Sequence, residues 1–285
     1  MTNPISDPLV ENVISDDVAA ALVTLEATPD GVVTVTLRRP ERRNAFDGAM
    51  VAALTEIFQT LHGDEASRIM FLRGEGDHFC AGGDLDWMRT AADWSEDDNR
   101  ADALAWAEML RALSEVPMLT VALVQGAAYG GGAGLVAACD VAVATAGASF
   151  AFPEVRIGLI PAVISPYVIR AIGPRAASAW FARGQAFDAT QALALGLVSE
   201  VAPDLAGMDA ARMRLAAEVK ACAPGAMAEA KRLVRDVADE PIHHALAQET
   251  AKRLARARVS PEGREGLAAF LEKRRPTWVD DEAGD

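Results

Sequence analysis

Cysteine is scarce, with only Cys80, Cys139 and Cys222 in 285 residues. An odd, scattered set in apolar surroundings argues against a disulfide framework and reads as reduced thiols, as expected in a cytoplasmic protein. Histidine is scarce too. His62, His78, His243 and His244 show no ligand spacing with Cys or Asp, so no structural zinc and no other metal is expected. No apolar run reaches the roughly 18 residues that cross a bilayer. The stretch Met1–Asp7 has neither the basic nor the apolar segment of a secretory signal. Positive charge is in deficit, with 27 Lys and Arg against 41 Asp and Glu and a net charge of −14, which argues against nucleic acid or an anionic membrane as a partner. The GxSxG elbow of serine hydrolases and the Walker A loop are both missing.

What is present is an ordinary globular composition, 51% hydrophobic and 24% charged, in a chain long enough for a large core. Residues 1–20 are acidic, lack a base and show little periodicity, and read as a flexible lead-in. From residue 21 to about residue 205 strand, turn and helix signals alternate, which implies an α/β core. Val32 to Leu37, Ile69 to Leu72, Leu119 to Val124, Val141 to Ala144 and Ser149 to Phe152 read as strands. Asp47 to Leu61, residues 99–114 and about 132–139 read as helices, with Asp47 as a cap. After Pro203 the strands stop. Residues 206–278 are rich in Ala, Arg and Glu, are broken at Pro224, Pro241 and Pro261, and read as an appendage of about three helices ahead of an acidic tail, 279–285.

Two glycine-rich turns carry the chemistry: Phe79-Cys80-Ala81-Gly82-Gly83-Asp84 and Gly130-Gly131-Gly132-Ala133-Gly134. Two turns with free backbone N–H groups can converge on one oxygen and hold the enolate of a thioester. Each has a plainer reading. The first, alone, is a loop in which Asp84 caps the next segment. The second is plainly read as glycine allowing close helix packing, and it nominally fits a dinucleotide fingerprint through Gly132, Gly134 and Ala137, with Glu154 about twenty residues on. It lies mid-chain, however, and Gln125 to Tyr129 is expected to separate it from its strand. Its glycines can instead expose N–H groups at a helix N-terminus, where the dipole favours an anionic oxygen.

Glutamates are exposed by default, but Glu154 follows Phe150-Ala151-Phe152-Pro153 and precedes Val155, Ile157, Leu159 and Ile160. Burial there would raise its pKa toward acid/base range. Two basic clusters stand out, Arg38-Arg39-Pro40-Glu41-Arg42-Arg43 and Lys273-Arg274-Arg275. Each is commonly a solvated face, and both would suit a phosphate-bearing ligand.

These residues resemble the crotonase (enoyl-CoA hydratase/isomerase) superfamily. The resemblance runs through Arg39-Pro40 and Arg43-Asn44-Ala45-Phe46, the two turns, Cys139-Asp140, the stretch Pro153-Glu154-Val155-Arg156-Ile157-Gly158-Leu159-Ile160-Pro161, and Phe270-Leu271-Glu272-Lys273-Arg274. It spans residues 22–278, with the motifs in family order. Asp84-Leu85-Asp86-Trp87-Met88 and the segment after Glu154 look closest to bacterial methylglutaconyl-CoA, carboxygeranoyl-CoA and isohexenylglutaconyl-CoA hydratases. The resemblance implies a crotonase (ClpP-like) spiral of ββα units with a C-terminal helical trimerisation region, assembled as a homotrimer or homohexamer. It implies oxyanion donors at Gly83 and Gly131, an acid/base at Glu154, and substrate contacts from Ala45, Ala81, Asp84, Leu85, Tyr129 and Gly130. Phe270 and Lys273 would reach the CoA from a neighbouring subunit. No cofactor is implied, because CoA is part of the substrate.

The chain departs from the family pattern in two places. Gly134 stands where two-glutamate hydratases carry a second catalytic glutamate, and Ala162-Val163-Ile164-Ser165-Pro166 replaces a glycine-rich stretch. The leading expectation is hydration of a branched or carboxylated 2-enoyl-CoA with Glu154 as acid/base. The alternatives are a Δ3,Δ2-enoyl-CoA isomerase using Glu154 alone, and a weakly catalytic acyl-CoA-binding protein. Arg156 could pair with a distal carboxylate, although a structural role is the commoner fate of such a residue.

Overall fold

The computed structural model describes residues 22–279. The lead-in at 1–20 and the tail beyond residue 279 lie outside the described residues. The principal sheet has six strands in the order β1 (Val23–Ala27), β2 (Val32–Leu37), β3 (Ile69–Gly74), β4 (Leu119–Val124), β6 (Val141–Thr145) and β9 (Glu200–Ala202). Only the β1–β2 hairpin is antiparallel; the other pairings are parallel. Strands covered on both faces need apolar residues at every position, which explains the Ile69-Met70-Phe71-Leu72 run. Alternate residues serve different cores. Met70, Leu72, Ala122 and Val124 join the larger cluster, while Ile69, Phe71, Val121 and Leu123 join a smaller one.

Helix α1 (Gly48–His62), capped by the Asp47 side chain on the Met50 N–H, buries Met50, Leu54, Ile57, Phe58 and Leu61 in the larger core. Helix α2 (Leu85–Ala91) and the long α3 (Glu96–Glu115) follow, and α3 packs on α1. A second sheet has three short strands, β5 (Ala127–Tyr129), β7 (Ser149–Ala151) and β8 (Ala186–Asp188), in the order β5-β7-β8. Helix α4 (Gly131–Ala138) leaves the end of β5 and packs on α5 (Ser165–Arg183), which kinks at Gly173-Pro174; α6 (Ala189–Leu195) leads on to β9.

Two expectations are corrected. Gln125 to Tyr129 does not separate the second turn from its strand, because Ala127–Tyr129 is itself a strand and the turn starts at its end. A three-residue strand is too short to show an alternation in sequence. The C-terminal region contains four helices rather than about three: α7 (Leu205–Lys220), α8 (Pro224–Val237), α9 (His244–Val259) and α10 (Pro261–Glu272). Pro224 and Pro261 open helices, at positions where the missing N–H costs nothing. Helix α7 also belongs to the core. Its Met208, Ala211, Leu215 and Val219 cover the sheet face formed by Ile69, Phe71, Val121 and Val143.

Candidate active site

The two glycine turns are joined by backbone. Phe79 N–H donates to Gln125 O at 2.8 Å, Cys80 N–H to Ala127 O at 3.0 Å, and Tyr129 N–H to Cys80 O at 3.0 Å. The first turn therefore runs beside β5, whose end becomes the second turn. Gly82 adopts φ +95°, and a Cβ there would lie 2.9 Å from Tyr129 O and 3.8 Å from Gly131 N, so the close approach of the turns requires glycine. The buried Cys80 Sγ accepts the Gly82 N–H at 3.4 Å, and burial pushes this thiol up to about 12. Phe46 clamps the turn from the other side: its N–H donates to Gly82 O at 2.8 Å, and its carbonyl accepts Asp84 N–H at 2.7 Å. The Gly83 amide between them has no acceptor among the described residues.

In the second turn Gly130 (φ 51°, ψ −118°) caps α4 and donates its N–H to Ala151 O at 2.9 Å. Gly131 is the first helical residue, so its N–H has no intrahelical partner and points out at the positive end of the helix dipole. Glu154 opens a short 3-10 turn (Glu154–Ile157) directly after β7. Its Oε1 lies 3.2 Å from where a Gly130 Cβ would be. Its Oε2 is buried without a hydrogen-bond partner. Burial raises this carboxyl above the ordinary value of 4.5, offset only in part by a backbone hydrogen bond. The structure thus brings together two unpartnered amides and a desolvated carboxylate with a free lone pair.

The walls are apolar, and the sequence reading missed most of them. Trp106 on α3 lies against Gly131, with Cζ3 2.5 Å from where a Cβ would be. It meets Phe46 edge-on at 4.9 Å between ring centroids and Trp87 at 6.4 Å; Trp87 in turn meets Trp94 at 5.9 Å. The Met88 Sδ would lie 3.5 Å from a Gly83 Cβ. Ile164, at the start of α5, is buried against Gly134; a Cβ on Gly134 would lie 2.9 Å from the Ile164 Cβ and closer still to its Cγ2 methyl. A lone Trp on the hydrophilic α3 was a signal in the sequence. The approach of Ile164 to Gly134 left none.

The other candidate residues have mixed placements. Ala45 is buried beside Phe46, and Ala81 N–H donates to Arg43 O at 3.0 Å. Asp84 is committed: Oδ1 caps α2 by accepting from Asp86 N–H at 2.8 Å and Trp87 N–H at 3.2 Å, and Oδ2 pairs with Arg39 at 3.1 Å. Burial opposes its charge, but the capping amides and Arg39 outweigh it and hold the carboxyl below its ordinary value. Leu85 is exposed at the start of α2, and the Tyr129 hydroxyl bonds the Ser149 hydroxyl at 3.1 Å. Phe270 is 79% exposed on α10, and Lys273 ends that helix in the left-handed conformation. Helix α10 packs mainly on α9 and α8, away from the turns. Arg156 is exposed and packs over Gly184. Most of the first basic cluster is internally neutralised, by Arg38–Glu75, Arg39–Asp47, Arg39–Asp84 and Arg42–Asp86 pairs. Arg43 and Lys273 make no ion pair among the described residues. No cluster of three or more metal-ligating side chains, and no helix long and apolar enough to cross a membrane, occurs among the described residues.

Comparison with known proteins converges on one family. The model of the enoyl-CoA hydratase/isomerase family matches residues 27–281. The 2,3-dehydroadipyl-CoA hydratase of Escherichia coli is 33% identical over 249 residues, covering 87% of this chain and 94% of its own. The enoyl-CoA isomerase/hydratase fer4 of Mycosarcoma maydis is 32% identical, covering 92% of this chain and 98% of its own. The crystal structure of an enoyl-CoA hydratase from Shewanella pealeana superposes with a TM-score of 0.87 at 38% identity, covering 95% of this chain and 98% of that one.

Proposed function

The chain belongs to the enoyl-CoA hydratase/isomerase family of the crotonase superfamily, and on that premise we propose that it adds water across the 2,3-double bond of a 2-enoyl-CoA thioester. The observation that carries this reading is the juxtaposition of the Gly83 and Gly131 amides, both without acceptors among the described residues, with the half-buried Glu154 carboxylate, whose Oε2 is buried and unpartnered. In the proposed reaction the two amides hold the thioester oxygen. Glu154 takes a proton from water as the water oxygen bonds to C3. The C2–C3 π electrons pass through C1 to the carbonyl oxygen, giving an enolate whose charge the amides stabilise. The protonated Glu154 then returns its proton to C2 as the enolate collapses. The step neither oxidises nor reduces the substrate, so it asks for no cofactor beyond the CoA that the substrate carries.

The CoA moiety would meet Ala45, Ala81, Leu85, Tyr129 and Gly130 along the first turn and β5, with the exposed Arg43, which makes no ion pair among the described residues, available to its phosphates. Phe270 and Lys273, exposed and remote from the turns in their own chain, fit a contribution from a neighbouring subunit of a homotrimer or homohexamer. A branched or carboxylated acyl chain is proposed from the resemblance to the glutaconyl-CoA group. The reaction is proposed to run in the cytoplasm, where free thiols such as Cys80 and Cys139 persist.

One observation favours a second reading. Gly134 supplies no second carboxylate, and a single carboxylate suffices to carry a proton between C4 and C2 in a Δ3,Δ2-isomerisation. Incubation with 3-methylglutaconyl-CoA, crotonyl-CoA and 3-hexenoyl-CoA tests both. Loss of conjugated-enoyl absorbance supports hydration, and its appearance from the 3-enoyl substrate supports isomerisation. If no substrate changes, both readings fail and binding alone remains.

A further inference from the structure

We infer that Ile164 is the residue that confines this site to one carboxylate: its branched side chain fills the volume that any side chain at position 134 would need, within a helical turn of Glu154. This rests on the reaction class proposed above and deepens it. Gly134 lies one turn beyond Gly130, the residue that caps α4, and its N–H donates to Gly130 O at 3.0 Å. The two residues are therefore stacked about one helical turn apart. A Cβ at Gly130 would lie 3.2 Å from Glu154 Oε1, so a side chain at residue 134 would start about one turn from the carboxylate of the proposed site. Ile164 closes that exit. It is only 4% exposed and is fixed by the start of α5, where its carbonyl accepts the N–H groups of Tyr167 at 3.2 Å and Val168 at 3.1 Å. Its Cβ, the stiff end of a branched chain, is 2.9 Å from the virtual Gly134 Cβ. A flexible side chain could swing aside; a buried isoleucine anchored at a helix start cannot.

Two consequences follow. Gly134→Glu alone cannot be accommodated, and truncating Ile164 to alanine is not enough, because the obstructing atoms include its Cβ. Only Ile164→Gly opens the position. Ile164 also puts hydrocarbon where a carboxylate at position 134 would stand, which leaves Glu154 as the carboxylate of the proposed site.

The test has two arms. The first needs no substrate: thermal unfolding of Gly134→Ala, Ile164→Gly and the double variant. The expected result is strong coupling, with the double variant more stable than the summed single effects allow. Additive effects, or a Gly134→Ala variant as stable as the parent, would overturn the inference. The second arm compares Gly134→Glu with Gly134→Glu/Ile164→Gly on 2-enoyl- and 3-enoyl-CoA substrates across pH. The double variant should fold, and its profile should gain the second limb of a coupled carboxylate pair. Its hydration-to-isomerisation ratio should rise by roughly 10²-fold, the low end of what a positioned acid/base contributes. A single Gly134→Glu variant that folds and already shows the two-limbed profile would overturn the assignment to Ile164. Coupling in the first arm without turnover by any variant would instead overturn the reaction class and leave the steric role of Ile164 standing.

Discussion

Replacing Glu154 by glutamine removes the proposed proton carrier while keeping its shape, and the structure sets expectations for both rate and stability. A positioned acid/base contributes about 10²–10⁴-fold, so kcat/KM should fall by that factor, about 2.7–5.4 kcal/mol of barrier at 1.36 kcal/mol per decade. In the proposed reaction the active form of Glu154 is the carboxylate. Its pKa is raised by burial, so the acid limb of the kcat/KM profile should lie above the ordinary 4.5, and the variant should lack that limb. Stability should move the other way. A group whose folded pKa is raised disfavours its charged form in the native state, so the parent carries a penalty. That penalty is absent below the unfolded pKa, grows as pH rises through the folded value, and stays constant beyond it. The variant should therefore unfold at a higher temperature than the parent at neutral pH, with the difference vanishing below pH 4.5, the ordinary carboxyl value. The assays are steady-state hydration rates and thermal unfolding, both across pH. Near-full turnover by Glu154→Gln, or a variant less stable than the parent at neutral pH, would refute the assignment of Glu154 as a desolvated acid/base.

The remaining expectations concern the frame around that carboxylate. Gly83→Ala should be mild, because its Cβ would meet only the Met88 thioether, 3.5 Å away. Gly83→Pro deletes the N–H and should cost about 10²–10³-fold in kcat, the usual loss of one oxyanion donor; equal effects of the two variants would count against an amide role. Asp84→Ala removes the cap of α2 and should lower unfolding free energy by about 0.5–2 kcal/mol. Because the folded pKa of Asp84 lies below its usual value, this difference should be full above pH 3.8 and disappear as pH falls through the folded value. Lys231→Ala breaks the 2.6 Å pair with Asp140 and the 3.1 Å bond to Met118 O that hold α8 to the sheet. Truncation should cost about 1.5–3 kcal/mol and speed hydrogen exchange in α8 before the sheet.

Strands β2, β3, β4 and β6 of the principal sheet and helices α1 and α3 were legible from their apolar patterning, and α4 from the glycine turn that opens it, whereas β1 and the three-residue β9 were not read. The apolar run at Ile69, the alternation at Val32 and the heptad-like spacing from Met50 to Leu61 announce how each element is covered. Strands β5 and β8, at three residues each, are too short to carry a period, and their pairing is fixed by backbone bonds that leave no trace in side-chain choice. Helix α7 read as an appendage because its alanines fit any helical surface; only its seat on Phe71 and Val121 shows that it is core. At the site, the glycines were legible as the chain's need for close approach, and Glu154 as an acid among apolar neighbours. The isoleucine facing Gly134 and the indole facing Gly131 were not, since both contacts join residues distant in sequence. Asp84 illustrates the opposite case: it stands in a family motif, yet its oxygens are occupied by two amides and an arginine.

The central claim is that the amides of residues 83 and 131 act together on one thioester oxygen. An isotope-edited vibrational difference spectrum of a C1-labelled 2-enoyl-CoA bound to the Glu154→Gln variant reads this directly. The carbonyl stretch should fall below its value in water and return toward that value when Gly83→Pro is added. A stretch that stays at the aqueous frequency in the bound complex would contradict the account.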